Sequence, residues 1–104
     1  MEGYVRVAAV TEILSGEIKA FEVGPDRVLI AHTEKGFFAV VDECSHDSNP
    51  MSDGRLEGTE IVCPRHGARF DIETGAVKAP PALVPINTVN LKIEGEDIFV
   101  RFPE

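Results

Sequence analysis

Four side chains of the metal-binding types stand in two short groups of this 104-residue chain. The first group is Cys44-Ser45-His46 and the second is Cys63-Pro64-Arg65-His66, with sixteen residues between His46 and Cys63. Each group offers one thiolate and one imidazole, and the short spacing lets one loop deliver two donors to the same centre. Because the chain has only two cysteines and three histidines, a chance grouping is the weaker explanation. The pattern predicts a metal centre with the ligands Cys44, His46, Cys63 and His66.

The order of the donors helps to choose the metal. Two cysteines and two histidines suit tetrahedral zinc as well as an iron-sulfur cluster. A zinc finger pairs cysteine with cysteine and histidine with histidine, whereas each group here mixes the two types. The mixed order suits a two-iron cluster clasped by two similar loops, with both cysteines on one iron and both histidines on the other. A zinc-stabilised binding module without a redox role remains the alternative.

Around these residues the sequence resembles the Rieske iron-sulfur family. The resemblance rests on Cys44-x-His46, Cys63-Pro64-x-His66-Gly67, Phe70-Asp71 and Thr74-Gly75. It extends over essentially the whole chain and includes the segments Phe37–Asp42, Met51–Gly54 and Pro80-Pro81. It implies one 2Fe-2S cluster, with Cys44 and Cys63 on the inner iron and His46 and His66 on the outer, exposed iron.

The resemblance also suggests residues that surround the cluster. Pro64 would stiffen the second loop, and Pro80-Pro81 would form a lid over the cluster, with an ordinary rigid connection as the alternative. Gly67 would bring its N–H close to the cluster sulfides, or it would be a plain turn glycine. These four residues are the expected shell of the cluster.

The ligands and their neighbours predict a low reduction potential. Rieske clusters have potentials of about −150 to +300 mV, against about −400 mV for plant-type ferredoxins. The high-potential branch of the family has bridging cysteines where this chain has Asn49 and Arg65, and hydroxyl side chains where it has Ala68 and Phe70. Without those donors the reduced, more negative cluster is less stabilised. We therefore expect the low end of the Rieske range.

A low potential and a small size resemble the Rieske ferredoxins of bacterial ring-hydroxylating dioxygenase systems. This resemblance implies a one-electron carrier, not itself an enzyme, between a flavin-dependent ferredoxin reductase and a terminal oxygenase. The small Rieske-like subunit of an assimilatory nitrite reductase is the alternative. His32 lies in an apolar strand without carboxylate partners for a mononuclear iron site, so we expect it to be structural.

Composition and charge restrict the compartment and the partners. With 43% hydrophobic and 27% charged residues, the chain predicts a single domain over residues 1–104. Ten basic and eighteen acidic residues give a net charge of −8, which disfavours nucleic acid and membrane partners. The N-terminal segment lacks a secretory signal pattern and the longest apolar run is Phe37–Val41, so we expect a cytoplasmic protein. Its small size and high charge favour a monomer.

Acidic residues are concentrated beside the predicted ligands. The segment from Asp42 to Glu60 carries six acids against the single base Arg55. Such an acidic rim would orient a basic docking surface on a partner, with transient electrostatic association. Solubility alone is the alternative explanation.

Short apolar segments separated by turn sequences predict an all-β fold. Connections such as Gly24-Pro25-Asp26 and Glu34-Lys35-Gly36 predict hairpins between sequential antiparallel strands. The one helical candidate is a capped turn over Thr11–Ser15. The predicted strands are Tyr4–Val10, Glu17–Val23, Arg27–Thr33, Phe37–Asp42, Glu60–Cys63, Ala68–Ile72, Val89–Glu94 and Asp97–Phe102.

The distribution of apolar residues along these strands predicts their layers. Arg27–Thr33 and Phe37–Val41 are apolar on both faces, as expected for strands between two layers. The last two strands alternate, which directs Val89, Leu91, Ile93, Ile98, Val100 and Phe102 to the core. The segments Ser45–Gly54 and Lys78–Pro85 read as ordered loops, where functional sites usually lie. We expect an antiparallel β-sandwich or small barrel of Rieske type, with a cluster-binding subdomain formed by two loops within about residues 43–81.

Overall fold

The structure is a computed structural model that describes residues 3–43, 51–64, 67–80 and 84–102. Within these ranges the regular structure is ten strands and a short 3-10 turn at Val10–Glu12. The strands are β1 Val5–Ala9, β2 Ile18–Val23, β3 Asp26–Thr33, β4 Gly36–Val41, β5 Arg55–Glu57, β6 Glu60–Val62, β7 Arg69–Asp71, β8 Val77–Ala79, β9 Thr88–Glu94 and β10 Asp97–Arg101. The all-β prediction is confirmed. No helix among the described residues has the length and apolar content needed to cross a membrane.

The strands form two antiparallel sheets. Six strands follow the order β1-β10-β9-β4-β3-β2, and four follow the order β5-β6-β7-β8. The two edge strands of the larger sheet, β1 and β2, come close to each other, so this sheet curls into a nearly closed barrel. The smaller sheet contains the strands on either side of Cys63, which makes it the subdomain expected to bind the cluster.

Strand β3 lies between two hydrophobic cores, as its sequence predicts. Its residues Val28 and Ile30 pack into the barrel core with Val89, Ile98 and Val100. The alternate residues Leu29 and Ala31 pack on the other side, in a core shared with the smaller sheet. Because successive side chains of a strand point to opposite faces, a strand that serves two cores must be apolar throughout. This shared core joins the two sheets. The single domain over residues 1–104 stays a prediction.

The C-terminal hairpin agrees with its predicted pattern except at one residue. Val89, Ile98 and Val100 are buried, but Ile93 is exposed. Ile93 pairs with Ile98 in register, next to the turn that joins β9 and β10. At this level β10 is flanked by β1 as well as β9, whereas β9 pairs with β4 only at Thr88 and Val89. Ile93 therefore lies on a part of β9 that β4 does not cover, so alternation alone overestimates its burial.

Three further elements differ from the sequence-based expectation. Strands β5 and β8 were not predicted, because each has three residues with only one large apolar side chain, whereas the equally short β6 and β7 lie within the predicted segments Glu60–Cys63 and Ala68–Ile72. The helical turn begins at Val10 and ends at Glu12, rather than spanning Thr11–Ser15. Its N-terminal cap comes from Glu12, whose Oε2 accepts a hydrogen bond from the N–H of Ala9 at 2.7 Å.

His32 has a structural environment in the barrel. Its Nδ1 donates a hydrogen bond to the carbonyl oxygen of Ile13 at 2.9 Å, and its ring stacks on Phe37 with centroids 4.0 Å apart. The main chain of His32 also bonds to the segment between the 3-10 turn and β2, through Gly16 and Glu17. These contacts agree with the expected structural role.

Candidate metal centre

Cys63 lies at the base of a tight loop between β6 and β7. Its N–H donates to the carbonyl oxygen of Ala68 at 2.8 Å, and its carbonyl oxygen accepts the N–H of Gly67 at 3.2 Å. These two bonds close the loop that carries Pro64 and His66. The Cys63 thiol is free and buried, with 1% of the residue exposed. A buried thiol at the base of this loop is compatible with the predicted role of Cys63 as a metal ligand.

Gly67 has the backbone conformation of a turn glycine, which is one of its two predicted roles. Its φ of +74° lies in the left-handed region that favours glycine. Its N–H is engaged with Cys63, and a Cβ at this position would meet no described atom within 4 Å. The close approach of its N–H to a sulfide is therefore not needed to explain this glycine.

The side chains below the loop lack polar donors. Ala68 and Phe70 are both buried, in the same core as Cys63, Met51 and Ile61. Neither side chain has a hydroxyl group, so neither can donate a hydrogen bond toward a group held by the loop.

The predicted lid contains Pro80 and Pro81, and the described residues before and after it are bonded to the part of the chain that forms the smaller sheet. Before it, Ala79 pairs with Arg69, which directly follows the Cys63 loop. After it, the N–H of Ile86 donates to the carbonyl oxygen of Gly75 at 2.9 Å. Pro64 and Pro80 are exposed. The segment thus begins beside the loop that it is predicted to cover.

Only part of the predicted site lies in the described part of the chain. Cys63, Pro64, Gly67 and Pro80 are described, whereas Cys44, His46, His66 and Pro81 lie outside the described residues. Among the described residues there is no group of three or more Cys, His, Asp or Glu side chains that could hold a metal ion. The assignment of four ligands to one centre therefore stays a prediction.

The chemistry of the described donor fits an iron-sulfur cluster. The Cys63 thiol is buried among apolar side chains, and the sequence places a histidine three residues further on. Cysteine thiolate is the common protein ligand of such clusters. In the Rieske type, two histidine imidazoles replace two of the four thiolates. A buried thiol at the closed base of the loop, with a histidine three residues further along the sequence, agrees with the donor types of a Rieske cluster.

Asp42 is a residue whose role the sequence did not reveal. It was counted among the acids of the rim, yet its side chain is fully buried and bonds to Arg27, Met51 and Ser52. The sequence feature that could have indicated this role is its position, directly after a predicted strand and two residues before the predicted ligand Cys44. An acid at the end of an apolar strand is a candidate for bonding to the main chain of the loop that follows.

The acidic rim is smaller than its sequence suggests. Arg69 bonds to Glu57 at 2.6 Å and to Glu60 at 3.3 Å, and Arg55 also pairs with Glu57. Asp42 is buried against Arg27. Three of the six acids are thus neutralised by ion pairs. Glu43 and Asp53 remain exposed in the described part of the rim.

We expect the Arg69–Glu57 pair to stabilise the protein in a pH-dependent way. The hydrogen bond from Arg69 lowers the pKa of Glu57 below its ordinary value of about 4.5. A lowered pKa in the folded state stabilises the protein fully above the unfolded value, and this stabilisation disappears as the pH falls through the folded value. Arg69→Gln should therefore unfold more easily than the parent above about pH 5, by a small amount that shrinks below pH 4.5.

Denaturant unfolding of both proteins between pH 3 and pH 7 measures this difference. Lys78→Gln is the matched control, because it removes a positive charge from the same sheet without touching Glu57. A difference between Arg69→Gln and the parent that is constant with pH would contradict the role of the pair.

Comparisons with known proteins identify the family. Residues 3–90 match the Rieske [2Fe-2S] domain. The chain is 38% identical over 95 residues to the ferredoxin component of biphenyl 2,3-dioxygenase from Rhodococcus jostii strain RHA1, covering 91% of this chain and 89% of that protein. The chain therefore belongs to the Rieske [2Fe-2S] family, and its cofactor is one 2Fe-2S cluster.

Solved structures agree with this assignment. The ferredoxin of carbazole 1,9a-dioxygenase from Nocardioides aromaticivorans IC177 superposes with a TM-score of 0.92 at 31% identity, covering 98% of this chain and 100% of that chain. A chain in a complex of reduced oxygenase and oxidized ferredoxin of carbazole 1,9a-dioxygenase superposes with a TM-score of 0.89 at 26% identity, covering 97% of this chain and 94% of that chain. The expected Rieske-type fold is confirmed.

Proposed function

We propose that this chain is a ferredoxin that carries single electrons from a flavin-dependent reductase to a terminal ring-hydroxylating oxygenase. The observation that carries the proposal is the buried Cys63 thiol at the neck of a loop closed by its own main chain, in a fold shared with dioxygenase ferredoxins. The biphenyl dioxygenase relative is named as a ferredoxin component of such a system, and not as its oxygenase. A carrier needs a redox group near its surface and no substrate pocket.

The proposed ligands of the cluster are Cys44 and Cys63 on one iron and His46 and His66 on the other. When bound, the cluster supplies reversible one-electron chemistry. The loop closed by Cys63, Gly67 and Ala68 would hold two of the four ligands in a defined orientation. Pro64 would limit the motion of that loop, and Pro80-Pro81 would cover the cluster.

The surroundings of Cys63 support a low reduction potential. Ala68 and Phe70 fill the core beside Cys63 without offering a hydrogen bond from a side chain. Fewer donors toward the cluster leave its reduced, more negative form less stabilised. The chain would therefore lie toward the low end of the range of about −150 to +300 mV.

The partners follow from the relatives. One solved neighbour is a complex of oxygenase and ferredoxin, which supports an oxygenase as the electron acceptor. A flavin-dependent reductase is the proposed donor. The relatives favour this role over a nitrite reductase subunit, and the match to a [2Fe-2S] domain disfavours a zinc module. A monomeric state and a cytoplasmic location stay predictions.

Analysis of the purified protein tests the proposal. We expect two iron and two sulfide per chain, no stoichiometric zinc, and a potential in the lower half of the Rieske range by protein-film voltammetry. The reduced protein should pass one electron per chain to a ring-hydroxylating oxygenase in stopped-flow mixing. Stoichiometric zinc without sulfide would support the binding module instead, and transfer to a nitrite reductase alone would support the other alternative.

A further inference from the structure

Asp42 is a carboxylate that the structure buries completely. It directly follows β4, and none of its side chain is exposed. An isolated charge in such a place is strongly unfavourable, so a buried carboxylate requires partners for its oxygens. No buried side-chain polar atom of the described residues lacks a hydrogen-bond partner, and Asp42 has three.

The two oxygens of Asp42 bond to opposite sides of the molecule. Oδ1 accepts the main-chain N–H of Met51 at 2.8 Å and that of Ser52 at 3.0 Å. Oδ2 accepts Nε of Arg27, on β3 of the barrel, at 2.7 Å. The N–H of Asp42 itself donates to the carbonyl oxygen of Arg27 at 3.0 Å. The carboxylate therefore joins the barrel to the chain at Met51 and Ser52.

This arrangement closes the segment that carries the first pair of predicted ligands. Asp42 and Met51 are nine positions apart, and Cys44 and His46 lie between them in sequence. The described residues on either side of this segment thus meet at the same carboxylate. Hydrogen bonds from main-chain N–H groups to a carboxylate are charge-assisted and stronger than those between neutral groups.

Contacts beyond Met51 continue to the second loop. The Met51 side chain is fully buried in the core that contains Cys63, and its carbonyl oxygen accepts the N–H of Gly54 at 2.9 Å. Gly54 packs directly on the carbonyl oxygen of Val62, where a Cβ would come within 2.0 Å. Val62 precedes Cys63. A short series of contacts therefore connects Asp42 to the base of the loop that carries Cys63 and His66.

We propose that Asp42 is a positioning residue that sets the separation of the two ligand loops and thereby the geometry of the 2Fe-2S cluster. The proposal rests on the ligand assignment given under the proposed function. Asp42 is not itself a ligand, because both of its oxygens are occupied by Arg27, Met51 and Ser52. Arg27, with 47% of its side chain exposed, supplies the charge that allows the carboxylate to be buried.

Asp42→Asn in the full-length, cluster-loaded protein tests this proposal. Asparagine keeps the shape of aspartate, but when its oxygen faces the N–H groups of Met51 and Ser52, its NH2 group faces Nε of Arg27, donor against donor. Leaving a buried donor unsatisfied corresponds to about a tenfold change in an equilibrium. We expect a shifted or broadened EPR spectrum of the reduced protein and about tenfold faster release of iron to a chelator.

Asp97→Asn is the matched control. It breaks the Arg6–Asp97 pair, which has the same Nε-to-carboxylate contact at 2.9 Å but lies exposed between β1 and β10. This variant should have the parent EPR spectrum and the parent rate of iron release. A second variant, Arg27→Gln, removes the Oδ2 bond together with the charge that compensates the buried carboxylate, and it should accelerate iron release by at least about tenfold, as expected for the loss of a charge-assisted hydrogen bond.

The outcomes separate this proposal from the assignment on which it rests. A parent protein without iron and sulfide would overturn both. A loaded parent, with Asp42→Asn showing a lower unfolding midpoint but an unchanged EPR spectrum and iron release, would restrict Asp42 to a role in folding stability. If Asp42→Asn does not fold, parent-like EPR and iron release in Arg27→Gln would likewise overturn the positioning role.

Discussion

Replacement of Cys63 by alanine should abolish cluster binding completely while leaving the polypeptide folded. The thiol is the predicted ligand at the neck of the second loop, and a cluster held by Cys44, His46 and His66 alone would lack one of its four protein ligands. Removal of the small buried Sγ leaves a modest cavity, which should lower the free energy of unfolding of the cluster-free chain by about 1 kcal/mol. Iron and sulfide analysis, the visible spectrum and denaturant unfolding measure the two effects separately.

Val62→Ala is the matched control for this substitution. Val62 is buried directly beside Cys63, and its truncation should cost about 1–3 kcal/mol of stability without loss of the cluster. The expected pattern is therefore opposite in the two variants: a stable but colourless Cys63→Ala and a less stable but coloured Val62→Ala. A Cys63→Ala protein that keeps stoichiometric iron and sulfide would make Cys63 an ordinary buried thiol.

Gly54→Ala should destabilise the protein by about 3 kcal/mol, at the upper end of the usual cost of overpacking. The φ angle of Gly54 lies outside the left-handed region, so alanine meets no intrinsic backbone barrier there. The added Cβ would, however, lie 2.0 Å from the carbonyl oxygen of Val62 and 3.1 Å from that of Met51. Main-chain atoms cannot move aside as a flexible side chain can. The main chain at residue 54, directly before β5, must therefore move away from Val62 on β6. Denaturant unfolding of the loaded protein measures the loss.

Gly58→Ala separates steric overlap from backbone strain. Gly58 lies in the turn between β5 and β6 with a φ of +62°, and a Cβ there meets nothing within 4 Å. Its replacement should cost only about 1–2 kcal/mol of left-handed strain. Equal losses of stability in the two variants would show that the contact between Gly54 and Val62 relaxes without cost.

Local sequence patterns predicted the barrel strands well. Strand β3 spans Asp26–Thr33 against a predicted Arg27–Thr33, and its apolar character on both faces corresponds to real burial in two cores. The hairpins β2-β3, β3-β4 and β9-β10 agree with their turn sequences. Alternation and turn chemistry act over a few residues, so they can be read directly from the sequence.

Pairings between distant segments could not be predicted in the same way. Sequential pairing was expected, yet β1 pairs with β10 and β4 pairs with β9. Strands β5 and β8 exist because β6 and β7 provide hydrogen-bonding edges for them, from Arg55 opposite Val62 and from Phe70 opposite Val77. A three-residue strand has little preference of its own, and its neighbour in the sheet determines whether it forms.

The charges near the predicted site also show that local sequence is not sufficient, because their pairing depends on the tertiary structure. In sequence Asp42, Glu57 and Glu60 look like equivalent members of an acidic rim. In the structure Asp42 is buried, and Arg69 on β7 pairs with Glu60 on the adjacent strand β6 and with Glu57 on β5. The separation of paired from free charges depends on which strands are neighbours, so a docking surface cannot be inferred from the number of acids.

By itself, the sequence predicted the chemistry of the site, because donor type and spacing are local. The mixed pairs of cysteine and histidine favoured a two-iron cluster over zinc, and the match to the Rieske [2Fe-2S] domain agrees with that cofactor. It also determined the all-β class through short alternating segments. Only the tertiary structure revealed how the described ends of the loops are held. The buried Asp42 carboxylate, the contact of Gly54 with Val62 and the core beneath Cys63 each join residues from separate segments of the chain. Such contacts exist only after the chain has folded, since burial and close approach are properties of the packed state and of no single segment.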